Sequence, residues 1–445
     1  MGSLSSGAGL SRLSVGEKIL KLRKHNKVSQ LELVEIMRVR VDRITRAEQG
    51  EDTYTAAHIA AAKERFGIVG LPLTERECIA FRERLYIVRD LIRAEKLDEA
   101  KAILKEIAHI DRLECCDFDM VMLCKLIEVQ LFIVEDDIAT VEKKLEIYQK
   151  HLKKMNNECL YHYNYCRGAL LGHQGHYEKA LDYFLVAYEL AENNKNLLPE
   201  DDERLYYYIA WCYTQIEIPY RAIFFWQKAK QAHTDSRITD FSLNIDRGLA
   251  LNYIKMNQVK DAVRLLNKCM TKSESLFNDT YIGVTFLYLG FAYKKAEKWT
   301  SAIENFNKAL THLPEDTNNY YSALYHKILC TIQARTFVKA REHLGYVKTM
   351  GCLNEKWVIN FTALGHYYTI KHKMTSYKNY ESIAYIEDVA IPHFIKEHDY
   401  FSTIEYYALL EHHFEKIKSE MRSLSASKAI KNIYKRCFVN HGRDD

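Results

Sequence analysis

At 445 residues the chain is longer than one ordinary compact domain, so it holds either several domains or a repeat array in which each unit packs on its neighbours. Hydrophobic residues make up 48%, with only 5 prolines and 17 glycines, which favours helices over β-rich or disordered architectures. The net charge is +4; residues 1–70 hold 12 Lys/Arg against 8 Asp/Glu and the remainder balances, so the excess positive charge points to an anionic partner near the N-terminus.

No run of about 18 apolar residues exists, so no transmembrane helix is expected. Residues 1–13 lack the apolar core of a secretory signal and read as a flexible tail. The 11 cysteines are odd in number, scattered and without a C-x-x-C pair, as befits reduced, buried thiols in a cytoplasmic protein.

Residues 14–66 read as short helices. Ile19 and Leu22 face inward in the first. Ser29 with Glu32 forms a capping box opening a second helix, Gln30–Met37, that buries Leu33, Val34 and Met37. After a break at Arg38–Val39 a third helix runs to about Gln49, ended by Gly50, and Thr55 caps a fourth. Gly16, Ile19, Leu22, Arg23, Ser29, Gln30, Leu33, Val39, Ile44, Glu48 and Gly50 match the pattern of phage-repressor/Cro helix-turn-helix domains, and the segment resembles that family. Two residues depart from it. Arg38 stands where the turn usually has Gly, which requires a left-handed backbone or strain, and Asp42 puts an acid early in the third helix. The resemblance implies that Arg40, Val41, Asp42, Arg43 and Arg46 face double-stranded DNA and that Gln30 bonds a backbone phosphate. The structural alternative for Arg43 and Arg46 is a solvated face, paired with Glu48 or Asp42.

Residues 67–73 form a short apolar linker, so the N-terminal domain is expected to pack on the helical array beyond it. Thr74 with Glu77 forms a further capping box. From there a trio of the form Ala-x3-Phe-x2-Ala recurs: Ala100/Leu104/Ile107, Val141/Leu145/Tyr148, Ala180/Phe184/Ala187, Ala222/Trp226/Ala229, Ala262/Leu266/Cys269, Ala302/Phe306/Ala309 and Ala340/Leu344/Val347. The first positions advance by 41, 39, 42, 40, 40 and 38. Twelve residues before four of them stands a small residue: Gly168, Ala210, Ala250 or Gly290. This is the period of a two-helix repeat with a close helix contact. Residues 288–314, with Leu289, Gly290, Tyr293, Ala302, Phe306 and Pro314, resemble a tetratricopeptide (TPR) repeat. Two looser pairs follow, near 354–394 and 397–436. The chain is therefore expected to be all-α. The N-terminal helix-turn-helix domain would be followed, over residues 74–437, by a right-handed TPR superhelix of about nine helix pairs, with 438–445 as a C-terminal tail.

In such arrays the first helix of each pair lines the concave face. Positions three before and one after the small residue are Tyr165 and Ala169, Tyr207 and Trp211, Arg247 and Leu251, Leu287 and Phe291. Six before it stand His162, Arg204, Asn244 and Val284. His162, Tyr165, Arg204, Tyr207, Trp211, Asn244, Arg247, Leu251 and Phe291 thus offer apolar pockets and hydrogen-bond donors suited to an extended peptide. The structural alternative is packing between helices. The facing of Asn164 and Asn252 stays open.

No catalytic motif is present, and no cofactor or metal site is expected. His173-x-x-His176 and His412-His413 lack partners at metal spacing and read as turn and surface histidines.

The order helix-turn-helix then TPR array, with the C-terminal stretch from Ala390 through Asp399 to Tyr406, resembles the Rgg–Rap–NprR–PlcR–PrgX (RRNPP) group of peptide-pheromone receptors, NprR-like members most of all. The resemblance implies a cytoplasmic, homodimeric, non-enzymatic transcription regulator of quorum sensing. Its operator binding would be switched by a short signalling peptide. The other implied reading is an interaction protein that binds or dephosphorylates a response regulator.

Overall fold

The computed structural model describes residues 14–25, 27–66, 75–94, 96–107, 118–193, 203–233, 240–275, 278–350, 353–373 and 379–438. The described residues are helical throughout, with no strand among them. The chain divides into two compact units, Met1–Glu200 and Asp201–Asp445. The expected linker 67–73 and the Thr74 cap lie outside the described residues.

Four short helices come first: α1 (Val15–His25), α2 (Gln30–Met37), α3 (Val41–Glu48) and α4 (Ala56–Phe66). The Ser29–Glu32 capping box is present in both directions. Ile19, Leu33, Met37, Ile44, Ala47 and Ala62 close a small core. Arg38 takes up the left-handed conformation (φ 51°, ψ 45°) between α2 and α3, and Gly50 is left-handed after α3. Buried Glu48 locks this core. It accepts two bonds from Arg23, at 2.7 and 2.9 Å, and one from the Gln30 amide at 2.8 Å.

Helix pairs follow. In the first unit they are α5 (Glu75–Arg93) with α6 (Leu97–Ile107), α7 (Phe118–Val134) with α8 (Ile138–Gln149), and α9 (Asn157–His173) with α10 (Tyr177–Glu192). In the second they are α11 (Glu203–Gln215) with α12 (Pro219–Ala232), α13 (Asp240–Lys255) with α14 (Val259–Ser275), and α15 (Asp279–Lys295) with α16 (Trp299–His312). The last are α17 (Asn318–Gln333) with α18 (Phe337–Thr349), α19 (Glu355–His372) with α20 (Tyr380–Tyr385) and α21 (Ile391–Lys396), and α22 (Tyr400–Lys416) with α23 (Glu420–Phe438). That makes nine pairs among the described residues, in the expected register. Helices α20 and α21 join through a π-helical turn at Ile386–Ala390. Pro392, at the start of α21, has no N–H to donate, and the widened turn accommodates the missing bond.

The recurring trio is the packing stripe of each second helix. Ala180, Phe184 and Ala187 are fully buried, as are Ala302, Phe306 and Ala309. The small residues opposite are small by necessity. A Cβ on Gly290 would lie 2.4 Å from Phe306, and one on Gly168 2.8 Å from Phe184. Burying each ring contributes roughly 2–3 kcal/mol, which the close approach permits.

Each pair turns through the same backbone. A left-handed residue sits at Asp136, Gly175, Glu217, Asn257, Glu297 and Arg335 in six successive pairs, always five residues before the first of the trio. The next amide reaches back to the preceding helix, as Gln258 does to the Tyr253 carbonyl at 2.8 Å. This closes the helix C-terminus in the manner of a Schellman turn.

Candidate functional site

In the second unit the expected groove residues gather on the first helices α11, α13 and α15. Helical spacing puts Arg204, Tyr207 and Trp211 on one face of α11, and Asn244, Arg247 and Leu251 on one face of α13. Tyr207 stands edge-on to Trp226 at 5.0 Å and lies against Phe241 at 5.0 Å. Arg204 rests over the Phe241 ring at 5.1 Å. Trp211 is half-buried. The Arg247 guanidinium lies 4.7 Å over the Tyr281 ring and donates through Nη2 to the Asn244 carbonyl at 2.5 Å. Burial pushes the Tyr207 hydroxyl up to about 12; Tyr208 and Tyr288 add to the shift, while Arg247 and Arg204 oppose it. Two guanidinium groups and several tyrosines thus share one patch.

One turn further along α13 and α15, Leu251 and Phe291 open onto a cavity of about 470 Å³. Its apolar wall includes Ile254, Trp299 and Phe401, and its polar wall Glu217, Lys255, Lys294, His326, Asp399 and Glu405. These charges are organised. Lys255 bonds Glu217 at 2.7 Å and the Thr214 carbonyl at 2.9 Å. Lys294 bonds Glu405 at 2.8 Å and lies 3.3 Å from His326 Nδ1. Burial, reinforced by Lys294, holds His326 well below the usual imidazole range, so it stays neutral and accepts. Burial raises Glu217 to about 7, against the pull of Lys255 and with the push of Asp399.

Three expectations about individual groove residues need correction. His162 is interior, its Nδ1 2.9 Å from the Gln130 amide. Tyr165 is buried as well, edge-on to Phe184 at 6.1 Å. Both belong to the first unit, where they fill the space between α7, α9 and α10 rather than an open face. Leu287 is likewise core. Asn252 is fully buried and bonds the Thr214 hydroxyl at 2.8 Å, and Asn164 bonds the Leu160 carbonyl at 2.7 Å; both serve packing. His413 is also a correction, since it is wholly buried beside Phe414, whereas His412 is exposed.

At the N-terminal helices, Gln30, the residue expected to bond a phosphate, donates its side-chain amide to Glu48 at 2.8 Å in the free protein. Arg40 and Asp42 face solvent, 90% and 56% exposed, 3.5 Å apart. Val41 is exposed beside them. Arg43 and Arg46 pair with Asp52, at 3.6 and 3.4 Å, rather than with Glu48 or Asp42. Arg43 also bonds the Thr53 carbonyl at 3.0 Å. The side chain of Leu22 lies outside the described residues.

The charged cavity wall escapes sequence reading because its members come from the turn between α11 and α12, from α13, α15 and α17, and from α22 with its N-cap Asp399. Only the periodic positions Leu251 and Phe291 carry a signal.

The second unit thus has a patch of aromatic and guanidinium side chains next to a charged cavity, on the first helices of an all-helical repeat array. No protein-family model and no curated protein sequence matches the chain. Solved structures do. The apo form of the quorum sensor NprR from B. thuringiensis is 20% identical, with 79% of this chain and 98% of that one covered at a TM-score of 0.63. NprR in complex with its cognate peptide NprX is 21% identical over 79% and 98%, at 0.62. A Rap protein complexed with Competence and Sporulation Factor is 15% identical over 81% and 99%, at 0.62. The chain has the NprR/Rap fold, which is the fold of the RRNPP group that its sequence resembles. No described helix is long and apolar enough to cross a membrane.

Proposed function

We propose that the chain is a peptide-responsive DNA-binding transcription regulator, acting as a homodimer. The observation that carries this reading is the face shared by Arg204, Tyr207, Asn244, Arg247, Leu251 and Phe291 on three successive first helices. It joins aromatic surfaces, guanidinium donors and a 470 Å³ cavity, the combination that takes an extended peptide by its backbone, carboxylates and side chains. NprR, with the same fold, is solved with a cognate peptide.

The DNA-binding half rests on the start of α3. Arg40 and Asp42 are solvent-facing and Val41 is 44% exposed. An exposed aliphatic side chain beside an arginine suits a thymine methyl and a neighbouring phosphate or guanine. Asp52, which holds Arg43 and Arg46 in ion pairs in the free protein, is a competitor that phosphate must displace.

Selection of bound fragments from a random duplex library by the purified chain tests the reading. A single enriched site, bound less tightly by Arg40→Ala and with a salt slope shallower by about one, is the expected result. Binding that depends on salt but not on sequence would overturn the regulator reading and direct attention to a protein partner.

A further inference from the structure

Arg247 is a buried cation without a counter-ion. The residue is 4% exposed, and among the described residues no carboxylate pairs with it. Its Nη1 has no hydrogen-bond partner among them. What it has is the Asn244 carbonyl on Nη2 and the Tyr281 ring face at 4.7 Å. Two other cations of the array have carboxyl partners: Lys294 is neutralised by Glu405, and Lys255 bonds Glu217. Asp246, next to Arg247 in the chain, turns the other way and is taken by Lys230 at 2.7 Å and Lys272 at 3.1 Å. An uncompensated buried charge costs several kcal/mol, and a cation–π contact returns only about 2.

The surroundings show why the arginine is kept. Asn244, Tyr207, Tyr281 and Tyr288 around it are all half-buried, so the groups that surround the guanidinium reach the surface. It is also one helical turn from Leu251, at the mouth of the cavity. A fork with a free N–H edge in a low-dielectric setting is a carboxylate receptor.

We propose that Arg247 receives a carboxylate of the bound peptide, either its C-terminal group or an Asp/Glu side chain, with Asn244 holding the guanidinium in register. This rests on the peptide-binding reading above and adds the chemistry the peptide must carry. Binding then supplies the missing counter-ion, so the anionic group contributes more than a surface ion pair would.

The test uses the full chain and two random heptapeptide libraries, one with free C-termini and one amidated. Retained peptides are identified by mass spectrometry after gel filtration. The expected result is retention from the free-carboxylate library, with amidated peptides retained only when they contain Asp or Glu. If the amidated arm retains acidic peptides as well as the free arm does, the side chain is the source; if it retains none, the C-terminus is. Arg247→Gln is expected to reduce retention at least tenfold, and Arg247→Lys, which keeps the charge without the fork, to give an intermediate loss. Circular dichroism and thermal unfolding confirm that each variant folds, and the lysine variant carries the test should the glutamine one not. Retention of amidated peptides that lack Asp and Glu, or an Arg247→Gln variant that retains the same peptides as the parent, overturns the proposal while leaving peptide binding intact. No retention by the parent chain overturns the peptide reading and the proposal with it.

Discussion

Lys294 on α15 donates to Glu405 on α22 at 2.8 Å, although 111 residues separate them in the chain. Both side chains are about four-fifths buried. Glu405 also accepts from Gln333, which in turn bonds Tyr367 at 2.6 Å. Burial works against the Lys294 ammonium, but Glu405, with smaller help from neighbouring groups, keeps it above its ordinary range. Removing one partner strands the other charge, so Glu405→Leu is expected to cost about 3–5 kcal/mol. The double variant Lys294→Met/Glu405→Leu is expected to recover much of that. A double-mutant cycle by urea unfolding measures the coupling; additive losses would show that the pair is not coupled.

Glu217 makes stability depend on pH in a direction opposite to most carboxylates. Its pKa in the folded chain is raised to about 7, so the folded state holds a proton that the unfolded chain has released. The contribution is fullest below about pH 4.5 and declines as pH rises towards 7, by up to about 3 kcal/mol. Glu217→Gln is expected to flatten the stability profile between pH 5 and 7.5 relative to the parent. Parallel profiles in the two proteins would show that Glu217 does not titrate there.

Gly290 and Phe306 form a matched pair, as the missing Cβ leaves room for the ring. Gly290→Ala forces the buried ring to move and is expected to cost about 1–3 kcal/mol. Ala250 and Leu266 hold the equivalent positions in the preceding pair, both buried. Gly290→Ala/Phe306→Leu copies that combination and is expected to restore part of the loss in differential scanning calorimetry. No recovery would mean the two sites are set by different neighbours.

Breaking the Glu48 lock should act on the N-terminal helices alone. Glu48→Ala removes two bonds to Arg23 and one to Gln30 and leaves a partly buried guanidinium. A loss of about 3–5 kcal/mol is expected, seen as faster amide exchange across α1–α3. Unchanged exchange there would show that the apolar core suffices.

Arg38 holds a left-handed backbone (φ 51°), which disfavours any residue with a Cβ by roughly 1–2 kcal/mol. Arg38→Gly removes that strain, and after the added freedom of glycine in the unfolded chain a net gain of up to about 1 kcal/mol is expected. Thermal unfolding of the two proteins checks it.

Period and size complementarity are local, so the packing stripe of each pair could be read from Ala302, Phe306 and their repeats. The site was legible only in part. Leu251 and Phe291 follow from the register and line the cavity; Arg247 follows from it too, one helical turn from Leu251, but is itself buried. The cavity's charges do not follow from the register, because Lys294 meets Glu405 only after intervening pairs have been laid down. His162 and Tyr165 occupy the same formal positions as Arg204 and Tyr207, yet they are buried. Which first-helix positions are open depends on how each pair meets the next, and the period says nothing about that. The left-handed turn residue escaped notice for a chemical reason. Only Gly175, Asn257 and Asp136 are of types that adopt such a conformation with any frequency; Glu217, Glu297 and Arg335 carry no such mark.

That turn separates the two helices of a pair by three residues at α7–α8, α9–α10, α11–α12, α13–α14, α15–α16 and α17–α18 alike, whereas successive pairs are joined by segments that vary, from three residues between α14 and α15 to ten between α10 and α11. Length is therefore fixed at one kind of junction and free to vary at the other. The array behaves as a string of interchangeable cassettes, and a cut made between pairs leaves each cassette's closing geometry whole, while a cut within one destroys it.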